Sequence, residues 1–153
     1  MAIKFRKYHR FDAQKAEYGV EHRITDEAGN YPGTFKTSLF DPFNKYLKVA
    51  QERYERECAN DEKAKGEFAN VFAFIELCLH DWKDVLDEEG NEVPFSKEAA
   101  FELFTDEDNQ WLVNALIAET RDVTNYKADP VAKQETALGN SKPTSTGSKS
   151  KAD

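Results

Sequence analysis

The stretch FANVFAFIELCLHDWKDVL, running from Phe68 to Leu86, is the most apolar text in the chain. Phe68, Val71, Phe72, Ile75, Leu79, Trp82 and Leu86 recur in it at three- and four-residue intervals. That interval places side chains on one face of an α-helix. The spacing predicts a helix from about residue 62 to 86, weakened near its start by Gly66. Just upstream, Asp41-Pro42 reads as a helix start, because Asp can accept a backbone N–H and Pro at the first helical position has none to waste. Phe43, Tyr46, Leu47, Ala50, Tyr54 and Cys58 then give one apolar face through about residue 58.

Downstream, Asp87-Glu88-Glu89-Gly90-Asn91-Glu92 is a polar turn, followed by Val93-Pro94-Phe95. Ser96 can cap a short helix bearing Ala99, Ala100, Leu103 and Phe104. Thr105 or Asp106 can cap a last one, with Trp111, Leu112, Ala115, Leu116, Val123 and Tyr126 as its buried stripe. Toward the N-terminus, Tyr18, Val20, His22 and Ile24 alternate with polar residues, as do Phe35, Thr37 and Leu39. With turn residues Asp26 to Asn30 and Pro32-Gly33 between them, they predict a β-hairpin at about 17–25 and 33–40. The expected fold class is mainly α: about four helices with an N-terminal β-hairpin and a disordered C-terminal tail. Three regions follow: a basic N-terminal segment (1–16), a single mainly helical domain (17–127, with its hairpin in 17–40) and a tail (128–153). The tail is rich in Ser, Thr, Lys, Gly and Pro and has too little apolar surface to offset the entropy of ordering it.

With 153 residues, 39% of them hydrophobic and 33% charged, the chain suits one domain. Eleven Phe, six Tyr and two Trp supply core area that the aliphatics lack. A mean hydropathy of −0.78 and the lack of any apolar run of about 18 residues speak against a membrane-spanning helix. The start, MAIKFRKYHRFDAQ, has no apolar stretch and does not read as a secretory signal. Cys58 and Cys78 do not make a disulfide framework, which points to a reducing cytoplasm. The net charge of −8 argues against nucleic-acid binding by the folded body. It is unevenly spread: residues 1–10 carry Lys4, Arg6, Lys7 and Arg10 and no acid, whereas residues 76–108 carry twelve acids against Lys83 and Lys97.

Little in the sequence supports catalysis. Aligning either acidic loop to an EF-hand with Gly90 or Gly29 at position 6 puts Val85 or Ile24 where the first oxygen ligand belongs. His9, His22 and His80 form no HExxH pair, and no phosphate-cradling or nucleophile-elbow motif occurs. Both cysteines fall on apolar helical stripes, where a free thiol acts as a small hydrophobe. No enzyme activity, catalytic residue, cofactor or metal is expected.

One pattern has a likeness. From Leu79 to Ser96 the text reads as a helix ending in Trp82, then Val85, Asp87-Glu88, Gly90-Asn91 and Val93-Pro94-Phe95-Ser96, followed by an alanine-rich short helix and an aromatic-containing one. This order resembles the tail assembly chaperones of long-tailed bacteriophages, which are encoded between the tail tube and tape measure genes. The similarity covers about residues 68–126 best. Its motif residues, Trp82, Gly90, Pro94, Phe95 and Ser96, have structural roles. The resemblance implies a protein of the host cytoplasm, absent from the mature virion. It would bind the tape measure protein, keep it soluble and help recruit tail tube protein. Family members commonly also occur as a longer form made by programmed frameshifting, which would be a further partner and which the polar tail could tether. Such a chaperone needs an apolar groove for amphipathic helices; the candidates are Phe40, Phe43, Tyr46, Phe72, Phe101 and Phe104. Neither nucleic acid nor membrane is an expected partner. Two other readings remain open: a structural neck or tail component of the virion, and a small acidic adaptor that binds a basic partner.

Overall fold

The computed structural model describes residues 2–128. The tail expected over 128–153 lies, apart from Ala128, outside the described residues. The first element is a short helix, α1 (Ala13–Tyr18), within the stretch read from sequence as a basic segment and the start of the hairpin. Asp12 opens it by accepting hydrogen bonds from the backbone N–H groups of Gln14 and Lys15. Gly19, at φ +94°, closes it and donates its N–H to Lys15 O. Strands β1 (Val20–Ile24) and β2 (Gly33–Thr37) then pair antiparallel, Val20 opposite Thr37 and Ile24 opposite Gly33. The hairpin is present, shorter than the expected spans.

Helix α2 (Lys45–Cys58) begins later than the sequence suggests. Its cap is Asn44, whose side chain accepts the N–H of Tyr46, and not Asp41. Asp41 instead accepts the N–H of Phe43 at 2.9 Å and makes a separate turn ahead of the helix.

The main correction concerns Phe68–Leu86. It is not one helix. A 3-10 turn at Glu62–Ala64 precedes α3 (Ala69–Cys78), and the chain then becomes strand β3 (Leu79–Lys83), which pairs antiparallel with β2. The molecule is therefore not a mainly helical chain with a two-stranded hairpin. It is α+β, five α-helices packed with a three-stranded antiparallel sheet of order β1-β2-β3 among the described residues. The third strand also removes the difficulty of a lone hairpin, which is marginal in water.

The misreading has a local cause. Leu79 lies opposite Thr37 and Asp81 opposite Lys36, so His80 is an extra residue on β3, a β-bulge. Leu79 and Trp82, three residues apart, are both buried as a result. Three-residue spacing on one face is helical periodicity, and here a bulged strand imitates it.

After β3, Asp84 takes a left-handed conformation (φ +63°), which Asp tolerates better than most residues. The turn at Asp87–Asn91 follows: Asp87 Oδ1 accepts the N–H groups of Glu89 and Asn91, with Gly90 at φ +87°. DEAGN at 26–30 builds the same turn, Asp26 Oδ1 accepting the N–H groups of Ala28 and Asn30. Ser96 caps α4 (Lys97–Thr105) through the N–H of Ala99, as its position suggests. Asp106 caps a 3-10 turn at Glu107–Asn109, α5 (Gln110–Arg121) follows, and a last 3-10 turn at Val123–Tyr126 ends the body.

The core joins sheet to helices. Phe35 of β2 meets Trp82 of β3 edge-on at 6.1 Å and Phe104 of α4 at 5.8 Å between ring centres. Trp82 donates its indole N–H to Val93 O at 2.8 Å and packs edge-on against Phe95 at 5.2 Å. A second, smaller cluster gathers Ala16, Leu39 and Tyr126 with Phe11, Val20 and Val123. The fully buried Tyr126 hydroxyl there donates to the Thr37 and Ser38 carbonyls and meets Thr37 Oγ1 at 2.9 Å and His22 Nε2 at 3.0 Å.

Candidate partner-binding site

The six candidate groove residues do not form one surface. Phe104 is fully buried between Phe35 and Phe74, and belongs to the core. Phe72 is buried too, against Tyr54 and edge-on to Phe101. Phe101 is half-buried, with Lys63 Nζ 5.0 Å above its ring. Phe40 is half-buried elsewhere, under the Arg121 guanidinium at 5.1 Å. Phe43 and Tyr46 do come together, at the start of α2.

There they line one wall of an open groove of about 620 Å³. Each wall has a reason to be where it is. Phe43 sits in the turn that Asp41 makes before Asn44 starts the helix, so its ring is carried outward and stays 74% exposed. The Asn44 side-chain amide donates to Ala16 O (3.2 Å) and Leu39 O (2.7 Å), which ties the head of α2 to α1. The opposite wall is Tyr8, His9, Arg10, Phe11 and, from α1, Ala13 and Glu17. Asp12 N–H donates to Tyr126 O at 2.8 Å and anchors this segment to the body. Arg10 reaches across to the buried Asp41 at 3.5 Å. Four aromatic rings, Arg10 and Lys45 thus line one opening.

Sequence reasoning missed the Tyr8–Phe11 wall. Its residues were read for charge alone. The available signal was Asp12 followed by Ala13-Gln14-Lys15-Ala16, a cap before good helix formers, which would have predicted α1 and so the Ala13–Glu17 part of the wall.

Beside the groove, the bulged His80 packs against Tyr46 at 6.2 Å and its Nε2 bonds Ser38 Oγ. Ser38 Oγ donates its own proton to Glu17 O at 3.0 Å, so the imidazole acts as donor. That polarity is the reverse of a serine activated by a base. Burial, reinforced by Lys36, Lys97 and Arg53, lowers the His80 pKa and keeps the ring neutral. Burial pushes the Cys78 thiol up to about 12 and raises that of Cys58 as well, so neither is poised as a thiolate. Among the described residues no group of three or more His, Cys, Asp or Glu side chains could hold a metal ion. No described helix is long and apolar enough to cross a membrane.

The motif residues take structural places. Trp82 lies in β3 and not at a helix end, Phe95 packs on it, Gly90 makes the turn, Pro94 is exposed and Ser96 is a cap. The groove presents four aromatic rings, two cations and one carboxylate, Glu17. No curated protein and no solved structure matches the chain. Residues 40–140, which include the Phe43–Tyr46 wall, match a family described as "YdaY prophage protein". The chain belongs to that family of prophage proteins.

Proposed function

We propose that this phage-derived protein is a tail assembly chaperone that binds the tape measure protein, keeps it soluble and helps bring tail tube subunits to it. The observation that carries the reading is the groove between Tyr8–Phe11 and Phe43–Tyr46. An aromatic such as Phe43, 74% exposed and held outward by its own turn, gains most by being covered. An amphipathic helix of a long partner has the shape and apolar stripe to cover it. Arg10 and Lys45 at the rim favour partner segments with acids beside their apolar residues.

The test is co-expression with the tape measure protein encoded in the same phage genome, followed by pull-down from the soluble fraction. The wild-type chain is expected to co-purify with a solubilised tape measure protein, and Phe43→Asp to lose it with an unchanged circular dichroism spectrum. Phe104→Asp serves as the contrast, because it buries a charge in the core and is expected to unfold the body. A tape measure protein that stays insoluble with the wild-type chain overturns the reading, as does full binding by a folded Phe43→Asp variant.

A further inference from the structure

Residues 2–7, ahead of the groove wall that begins at Tyr8, form an arm in which every residue is exposed. Within it Ile3 and Phe5 are 76% and 79% exposed. Lys4, Arg6 and Lys7 make no ion pair among the described residues, and only Arg10, at the root, is tied to the body through Asp41. When the arm is extended, Ile3 and Phe5 point to one side and Lys4 and Arg6 to the other. It is a segment with apolar anchors and positive charge and nothing of its own chain to rest on.

The complementary charge is carried by the same chain. Asp84, Asp87, Glu88, Glu89, Glu92, Glu98, Glu102, Asp106, Glu107 and Asp108 are all exposed. Lys97, the one cation among them, is already engaged with Glu76 at 2.9 Å. Leu86 (56% exposed) and Trp111 (38%) lie within and just after this stretch and offer apolar contacts for the arm. Because the arm is exposed, the acidic face of its own copy is not what it covers.

We propose that the exposed acids of 84–108 form one acidic face and that the arm of one copy docks on this face of a second copy. The two surfaces differ, so the contact is heterologous: each bound copy still presents one arm or one face, and association continues into a ring or an open chain. Two apolar anchors and three cations bury less area than a stable interface needs, so each contact is weak and assembly depends on concentration. Opposite surface charges make it weaker in salt. The contact is separate from the groove and stands or falls without it.

Sedimentation velocity of the full chain over a concentration series, at low and high salt, tests the proposal. The wild type is expected to form larger species, with association weakened about tenfold at high salt. An arm-reversed variant (Lys4→Glu, Arg6→Glu, Lys7→Glu) and a face-reversed variant (Glu98→Lys, Glu102→Lys, Asp108→Lys) are each expected to sediment as monomers with wild-type circular dichroism. Mixed together they are expected to associate, since the remaining native arm meets a native face and the two reversed surfaces also match. A wild type that stays monomeric, or a mixture of two folded variants that does not associate, overturns it. So does tight, arm-dependent binding of a single-stranded oligonucleotide by a monomeric wild type, which would assign the arm to nucleic acid.

Discussion

His22 sits in β1 with its ring 4% exposed, its Nε2 on the Tyr126 hydroxyl and its Nδ1 3.9 Å from Glu119. Burial lowers its pKa from 6.5 to about 4. The unfolded chain therefore takes up a proton on this residue as pH falls below about 6.5, while the folded chain does not until about 4. The stability associated with neutral His22 is complete above 6.5 and is lost between 6.5 and 4, to the extent of about 3 kcal/mol. His80, lowered mainly by burial too, adds to the same slope. Urea midpoints followed by circular dichroism across this range are expected to fall with pH. His22→Gln, which keeps a donor for Tyr126 and cannot titrate, is expected to flatten the slope. An unchanged slope in that variant would move the effect elsewhere.

At the level of elements, β3 decides the architecture and Gly33 decides how closely β2 approaches the chain that leaves β3. A Cβ on Gly33 would stand 2.8 Å from Val85 Cγ2 and 3.2 Å from Lys83 O, at a φ of +145°. Gly33→Ala is expected to destabilise by about 1–3 kcal/mol, read as a lower thermal midpoint. Gly90→Ala has open space around it and meets only the strain of φ +87°, about 1 kcal/mol. Equal effects would show that backbone strain, and not the approach to Val85, governs Gly33. Helices α2, α4 and α5 were legible because each carries one apolar stripe and a polar remainder. The hairpin was legible from alternation and its DEAGN turn. Strand β3 was not, because the His80 bulge gives Leu79 and Trp82 a helical interval and α3 runs into it with no turn residue between. For the groove, Phe43 and Tyr46 were found by their residue type. Phe72 and Phe104 share that type and are buried, since sequence states that a ring is apolar and not which way it faces.

Across the whole molecule, charge and fastening follow different geometries. Cations collect on the arm and acids on 84–108, while the folded body is held by polar contacts that join its two ends. Tyr126 bonds residues 88 and 89 positions earlier in the chain, Ser38 and Thr37. Tyr126→Phe removes the hydroxyl's bonds to the Thr37 and Ser38 carbonyls and to the His22 imidazole and is expected to destabilise by about 2–4 kcal/mol in urea unfolding. A loss below about 0.5 kcal/mol would show that the ring's packing alone matters.

Tyr126 also sets an order in time. A ribosome makes the hairpin long before it makes this residue, and domains fold as their parts emerge. Until Tyr126 arrives, His22, Thr37 and Ser38 line an open polar gap above a half-assembled core. A chain interrupted upstream of that residue is expected to keep the gap open and to be digested faster than the full chain, which would make one tyrosine the fold's proof of completion.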